Sequence, residues 1–202
     1  EPNQVTVSAA YGVASVFYTP NYSSETVLED DSTLGIYSYR TVILETDLKI
    51  KPIMAKAEIR LNERASLGLQ VFYNGFISSG FQLDSMWNSS SNMYEVERKS
   101  VRYTMDRWRI QAAFIRHFQL DNPNLDMYTS MAMGANIIKR KYYLEGQESS
   151  PNVAGMLQIL PYFPISMRFT FGLRYFFTER FGVQTEMSLG GPLLNIGFAA
   201  RL

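Results

Sequence analysis

The last ten residues, from Leu193 to Leu202, alternate with a period of two. Leu194, Ile196, Phe198, Ala200 and Leu202 fall on one face of a strand, and Asn195, Gly197, Ala199 and Arg201 on the other. A strand cannot stand alone, because its peptide groups need partners on a neighbour. The expected neighbour is the first strand, and that pairing closes a sheet into a barrel.

The same alternation recurs along the chain, and helical periodicity is scarce. Eight strands are expected. The first runs from Val5 to Val13, the second from Ile53 to Leu61 and the third from Ala65 to Asn74. The fourth sets Trp108, Ile110, Ala112, Phe114 and Phe118 against Arg107, Arg109, Gln111 and His117. The fifth opposes Met127, Met131, Met133, Ala135 and Ile137 to Ser130, Gly134 and Asn136, and the sixth opposes Met167, Phe169, Phe171, Leu173 and Tyr175 to Arg168, Thr170, Gly172 and Arg174. Phe181 to Leu189 is the seventh, and the closing strand makes eight. Links near 62–64, 120–125 and 178–180 are short, whereas those near 19–51, 78–98 and 139–163 are long and polar. Short turns at one end and long loops at the other are the pattern of a bacterial transmembrane barrel. A ten-stranded ring becomes possible if Leu34 to Ile50 forms an extra hairpin.

Either face of such strands can point inward. A lipocalin-like soluble barrel turns its apolar face in. Here the apolar faces carry large side chains on nearly every strand, and they would overfill a narrow eight-stranded interior. The opposite faces mix glycine, serine, glutamine and charge, which suits a filled lumen. Arg or Lys facing lipid at the bilayer midplane costs about 2–4 kcal/mol, and strand charges avoid the apolar face except at Arg116, near a strand end. The expectation is therefore a single transmembrane β-barrel domain over residues 1–202. Aromatics near the strand ends, among them Tyr11, Phe17, Tyr18, Tyr73, Trp108, Tyr128, Tyr175, Phe176 and Phe181, are expected to form interfacial belts.

Composition narrows the partners. Nineteen basic and nineteen acidic residues cancel, so nucleic acid is not an expected partner. There is no cysteine, which removes disulfides and thiolate metal sites. No run of 18 apolar residues exists, so no transmembrane helix is expected. The chain begins Glu-Pro-Asn and reads as a mature form whose export signal has been removed.

Asn195, Gly197, Ala200 and Leu202 fit the C-terminal assembly signal of bacterial outer-membrane barrels, with Leu202 in place of the usual terminal aromatic. The run Tyr175-Phe176-Phe177-Thr178-Glu179-Arg180-Phe181-Gly182, with Gly190-Gly191-Pro192 and the closing strand, resembles small outer-membrane β-barrel proteins of the Bacteroidetes type. The eight-stranded architecture is similar to that of the enterobacterial outer-membrane proteins A and X. The resemblance implies an outer-membrane location, both termini periplasmic, long loops outside, lipid as surroundings and the barrel-assembly machinery as a partner during biogenesis.

Lys56, Glu58, Arg60, Arg107, Arg109, Arg168, Arg174 and Glu186 are expected to line the lumen. The functional alternatives are a pore or an anion site, since basic residues outnumber acidic ones there, but arginine forks bridging carboxylates, Gln70, Gln111 and Gln184 would make it a closed plug. His117 is the only histidine and lies three residues before the end of its strand, next to a short turn. No serine is expected to reach it, so a Ser-His-carboxylate site is not expected, and one histidine without cysteine makes a poor metal site. Asp30-Asp31 lacks the spaced ligands of a calcium loop. No cofactor is expected. The segment Glu95 to Thr104 alternates charged and uncharged residues, which suggests a polar hairpin projecting beyond the bilayer with edges open to strand addition. Tyr37, Tyr39, Phe81, Trp87 and Tyr94 are the candidate anchors for other envelope proteins. The functional expectation is a non-enzymatic structural or interaction component, with a narrow channel or a lipid-modifying enzyme as the alternatives.

Overall fold

The computed structural model describes residues 4–14, 23–31, 36–88, 91, 93–149 and 164–202. Its strands are β1 (Val5–Ala14), β2 (Ser23–Asp31), β3 (Ile36–Asn62), β4 (Ala65–Asn88), β5 (Met93–Phe118), β6 (Leu125–Leu144), β7 (Gln147–Ser149), β8 (Ile165–Phe176), β9 (Phe181–Leu189) and β10 (Leu194–Arg201). There is no helix among the described residues.

β1 pairs with β10 on one side and β3 on the other, so the order β1-β3-β4-β5-β6-β8-β9-β10 returns to its start. Every pairing in this ring of eight is antiparallel. The closing strand behaves as its pattern implies, with Thr6 opposite Arg201 and Gly12 opposite Asn195. At Gly197 a Cβ would run into the Ala9 carbonyl of β1, so only glycine lets the two terminal strands approach this closely.

Ring strands obey one rule of facing. Leu67, Leu69, Phe114, Met131, Phe169, Phe171 and Phe198 are exposed on the outer wall, while Lys56, Gln70, Gln111, Arg168, Arg174 and Glu186 are buried inside. The soluble arrangement, apolar side inward, is not what the chain adopts. Arg116 points outward at the end of its strand. A few apolar side chains also fill the interior, chiefly Met54, Phe72 and Ile115.

The ring is uneven because its strands are unequal. β3 to β6 span 20 to 27 residues, whereas β1 and β8 to β10 span 8 to 12. Among the described residues, the stretches expected to be long loops are thus largely sheet. The long strands project beyond the ring as an open sheet, and β2 extends it by pairing with Ile36–Leu44 of β3. The hairpin expected within Leu34 to Ile50 does not form. From Ile36 onward that stretch is one arm of β3, which runs on into the barrel wall, and its partner is β2, which adds no ring strand and pairs with β3 alone. At β6 the chain turns through Glu145 and Gly146, both at positive φ, into the short β7. The tip residues 89, 90 and 92, the segment 150–163, and Phe17, Tyr18 and Tyr22 lie outside the described residues.

Two expected belt aromatics are inside instead. Tyr128 has no exposed surface and Phe176 almost none. Each sits at an inward-facing position of its strand, so strand parity overrides an aromatic's preference for an interface. Tyr128 lies directly opposite Gly172 on β8, and a Cβ there would overlap its ring. Gly172→Val should therefore lower the free energy of unfolding by about 1–3 kcal/mol through overpacking, read as a lower denaturant midpoint at unchanged slope. An unaltered midpoint would show that the ring of Tyr128 does not lie against Gly172.

Candidate functional site

The lumen is a chain of buried polar contacts running along the ring axis. At its centre Glu186 uses both carboxylate oxygens. Oε1 accepts from Lys56 Nζ at 2.6 Å and from the Tyr128 hydroxyl at 2.6 Å, and Oε2 accepts from Arg168 Nη2 at 3.1 Å. The Lys56 ammonium also donates to the Tyr128 oxygen at 3.1 Å. One carboxylate thereby joins side chains of β3, β6, β8 and β9. Its neighbour is a two-pronged pair: Arg174 Nη1 and Nη2 donate to Glu58 Oε1 and Oε2 at 2.6 and 2.7 Å. Nη1 also reaches Asp126 Oδ2 at 3.2 Å. The Tyr128 ring lies between these two groups, its centroid 4.2 Å from the Arg174 guanidinium and 4.6 Å from the Lys56 ammonium.

The fully buried charges balance. Lys56, Arg168 and Arg174 face Glu58, Asp126 and Glu186. Around them glutamines carry the hydrogen bonds onward: Arg168 to Gln70, Gln70 to Gln111, Gln111 to Ser166, and Arg174 to Gln184. Arg107 and Arg109 lie further toward the long-strand end, where Arg107 Nε donates to Asn136 and Arg109 Nη1 to the Gly190 carbonyl. Arg60 lies at the opposite, short-turn end. All eight lumen candidates thus point inward, six of them in direct ion-pair contact. The side chains that block the axis, Tyr128, Arg168 and Arg174, are each about 1% exposed or less. This arrangement is a plug.

His117 corrects the sequence reading. Its Nε2 is 2.8 Å from Ser66 Oγ and its Nδ1 is 2.7 Å from Asp126 Oδ1. A serine does reach it, because Ser66 on β4 and His117 on β5 face the same side of adjacent strands. The Asp126 carboxylate needs a proton on Nδ1, and in the neutral ring that leaves Nε2 to accept from the Ser66 hydroxyl. Such an order matches a nucleophile, base and orienting acid. Ser66, however, has no exposed surface, and Arg60 Nη2 sits 3.0 Å from the same Nδ1. A nucleophile needs a substrate within reach; this one is sealed in the wall of the plug. Among the described residues no group of three or more His, Asp or Glu side chains is arranged to hold a metal.

The loop candidates are less concentrated. Phe81 is exposed on the outer face of the projecting sheet, with the Arg98 guanidinium 3.5 Å from its ring centroid, and Tyr94 is exposed on β5. Tyr37 and Tyr39 lie along β3 and Trp87 along β4, their side chains outside what the structure describes. At the closing strand, Asn195 is buried in the lumen while Leu202 is exposed. Sequence reading missed Tyr128, Asp126 and Ser66 as parts of the network. Parity was the available signal, since Asp126 and Tyr128 fall in step with Ser130, Gly134 and Asn136.

No protein-family model and no curated protein sequence matches the chain.

Glu186 carries the centre of the network, so its loss is the informative test. Glu186→Gln should cost about 3–5 kcal/mol of unfolding free energy, because Lys56 and Arg168 would keep buried charges without their carboxylate. Lys56→Met in the same chain should recover part of that loss, measured as a coupling energy in a double-mutant cycle. Strict additivity would place the two residues out of contact.

Proposed function

We propose that this protein is a bacterial outer-membrane β-barrel of the Bacteroidetes type, with both termini periplasmic. In this reading it is not an enzyme. It acts as a structural or interaction component of the envelope, and its projecting sheet engages another envelope protein. Two features support the membrane part. The outer wall is apolar around the ring, and the polar side chains that would face water in a soluble barrel are instead buried inside.

The observation that carries the interaction part is a step in the sheet. The β5–β6 ladder ends at Val101 opposite Leu144, while β5 and β4 stay paired up to Met93 opposite Asn88. The Ser100 carbonyl accepts from the Glu145 amide at 2.8 Å, so even-numbered peptide groups of β5 face the β6 side. Those of Val96 and Arg98 therefore point to an edge with no ladder partner among the described residues. An added strand would supply one. Its chemistry follows from the alternation. Residues over the outer face meet Val96, Arg98 and Phe81, which suits an apolar side chain followed by an acidic one. Those over the inner face meet Glu97 and favour a cation. Lys99 is engaged already: it bridges Glu97 at 2.7 Å and Asp84 at 3.3 Å, and these carboxylates, Glu97 foremost, hold its ammonium above the usual lysine range.

The membrane reading predicts that unheated protein in SDS migrates ahead of boiled protein, and that the chain aggregates without detergent. A monomer stable in plain buffer would overturn it. Planar-bilayer recordings should show no steady conductance through the plugged lumen. For the interaction, Val96→Pro deletes only an edge-facing N–H, so the ring should assemble unchanged. Envelope proteins that co-purify with the native chain should be lost from this variant. If they are retained undiminished, the edge is not the contact.

A further inference from the structure

The opposite end of the ring carries a feature that the proposed interaction does not use. A cavity of about 470 Å³ opens at the short-turn mouth, lined by Arg60, Arg180 and Arg201, by Gln4 and Pro123, and by Glu179 and the end of the chain at Leu202. Its residues come from β3, β10, the turn between β8 and β9, the turn before β6 and the residue before β1, so it lies over the ring axis rather than on the outer wall. The cavity is blind. Behind Arg60 the lumen is filled by Asp126, Arg174 and Glu58.

We propose that this mouth is a binding site for a soluble anion bearing phosphate groups. Guanidinium forks bind phosphate oxygens in pairs, and the three of them outnumber the acidic groups in the lining, the Glu179 side chain and the Leu202 carboxylate. Arg201 is held ready by stacking: its guanidinium lies 3.5 Å from the Phe176 ring centroid. Among the described residues no carboxylate lies within ion-pair distance of Arg201 or Arg180. Arg60 also reaches inward, 3.0 Å from His117 Nδ1 and 3.6 Å from Asp126, with its side chain still 21% exposed toward the mouth. The frame does not depend on these side chains. The Arg201 amide donates to the Arg180 carbonyl at 2.8 Å, and the Arg180 amide to Thr178 Oγ1 at 3.3 Å. A phospholipid headgroup carries the same chemistry, but it meets a barrel from the outer wall. An axial cavity favours an anion arriving from the water.

The test is calorimetric titration of the whole protein in uncharged detergent with inorganic pyrophosphate. One saturable site per chain is expected. Arg180→Gln and Arg201→Gln should each weaken it about tenfold, the loss expected for one charge-assisted hydrogen-bonding partner. Arg116→Gln, which removes an equal charge from the outer wall, should leave it unchanged. If Arg201→Gln fails to fold, Arg180→Gln decides, because that side chain stands on an exposed turn. The proposal falls if native protein shows no saturable binding, or if Arg116→Gln weakens it as much as the mouth variants do. It also falls if variant-sensitive binding appears only with vesicles containing phosphatidylglycerol, which would assign the mouth to headgroups. None of these outcomes bears on the open edge of β5, so the two readings fail separately.

Discussion

The neutrality of the buried lumen is the constraint on which the rest of this structure depends. An eight-stranded ring has an interior just wide enough for side chains, so whatever faces inward must pack and pair with no bulk water to help. Three buried cations and three buried carboxylates meet that demand, with Tyr128 as the wedge between the two halves. Buried ion pairs are weak evidence for net stability, because desolvation offsets most of their attraction. Their value here is register. Lys56 and Glu186 are 130 residues apart in sequence, and Arg174 and Glu58 are separated by 116. A one-residue slip of any strand would turn its charge to the apolar wall and orphan the partner. The network thus specifies which strand closes on which, more than how tightly.

Above the ring the constraint relaxes, and the architecture changes with it. Once β3 to β6 pass beyond the closed part, their inner faces no longer confront a full circle of strands. The sheet opens, a small apolar cluster of Val42, Leu44, Val101 and Tyr142 replaces the charge network, and ladders end at different heights. Closure removes edges; projection restores them. The two ends of the molecule differ for that reason. The short-turn end offers side-chain charge around a blind hole, and the long-strand end offers peptide groups.

Much of the ring was legible in the sequence because its signal is redundant. Each of the eight strands shows the same alternation, and the faces can be checked against one another. Lengths were not legible. Residues 36–50 and 75–107 alternate less cleanly, since above the closed ring neither face has a single environment to select for. Tyr128 and Phe176 were misplaced because aromatic residues near strand ends suit an interface, and parity was given less weight than residue type. Ser66 was missed for a different reason. Its approach to His117 depends on the β4–β5 register, which no local pattern reveals.

The Ser66–His117–Asp126 relay shows how far geometry by itself carries a functional reading. Its distances suit nucleophilic catalysis, yet the serine is closed off and Arg60 leans on the same imidazole. The same contacts have a sufficient structural account. Asp126 is shared between Arg174 and His117, so the relay continues the ion-pair network to the end of the ring, where a histidine spans the gap between a carboxylate and a hydroxyl. Arg60 is the hinge of this arrangement. It touches the last buried acid on one side and the open mouth on the other, so it is where the balanced interior ends and the arginine-rich mouth begins.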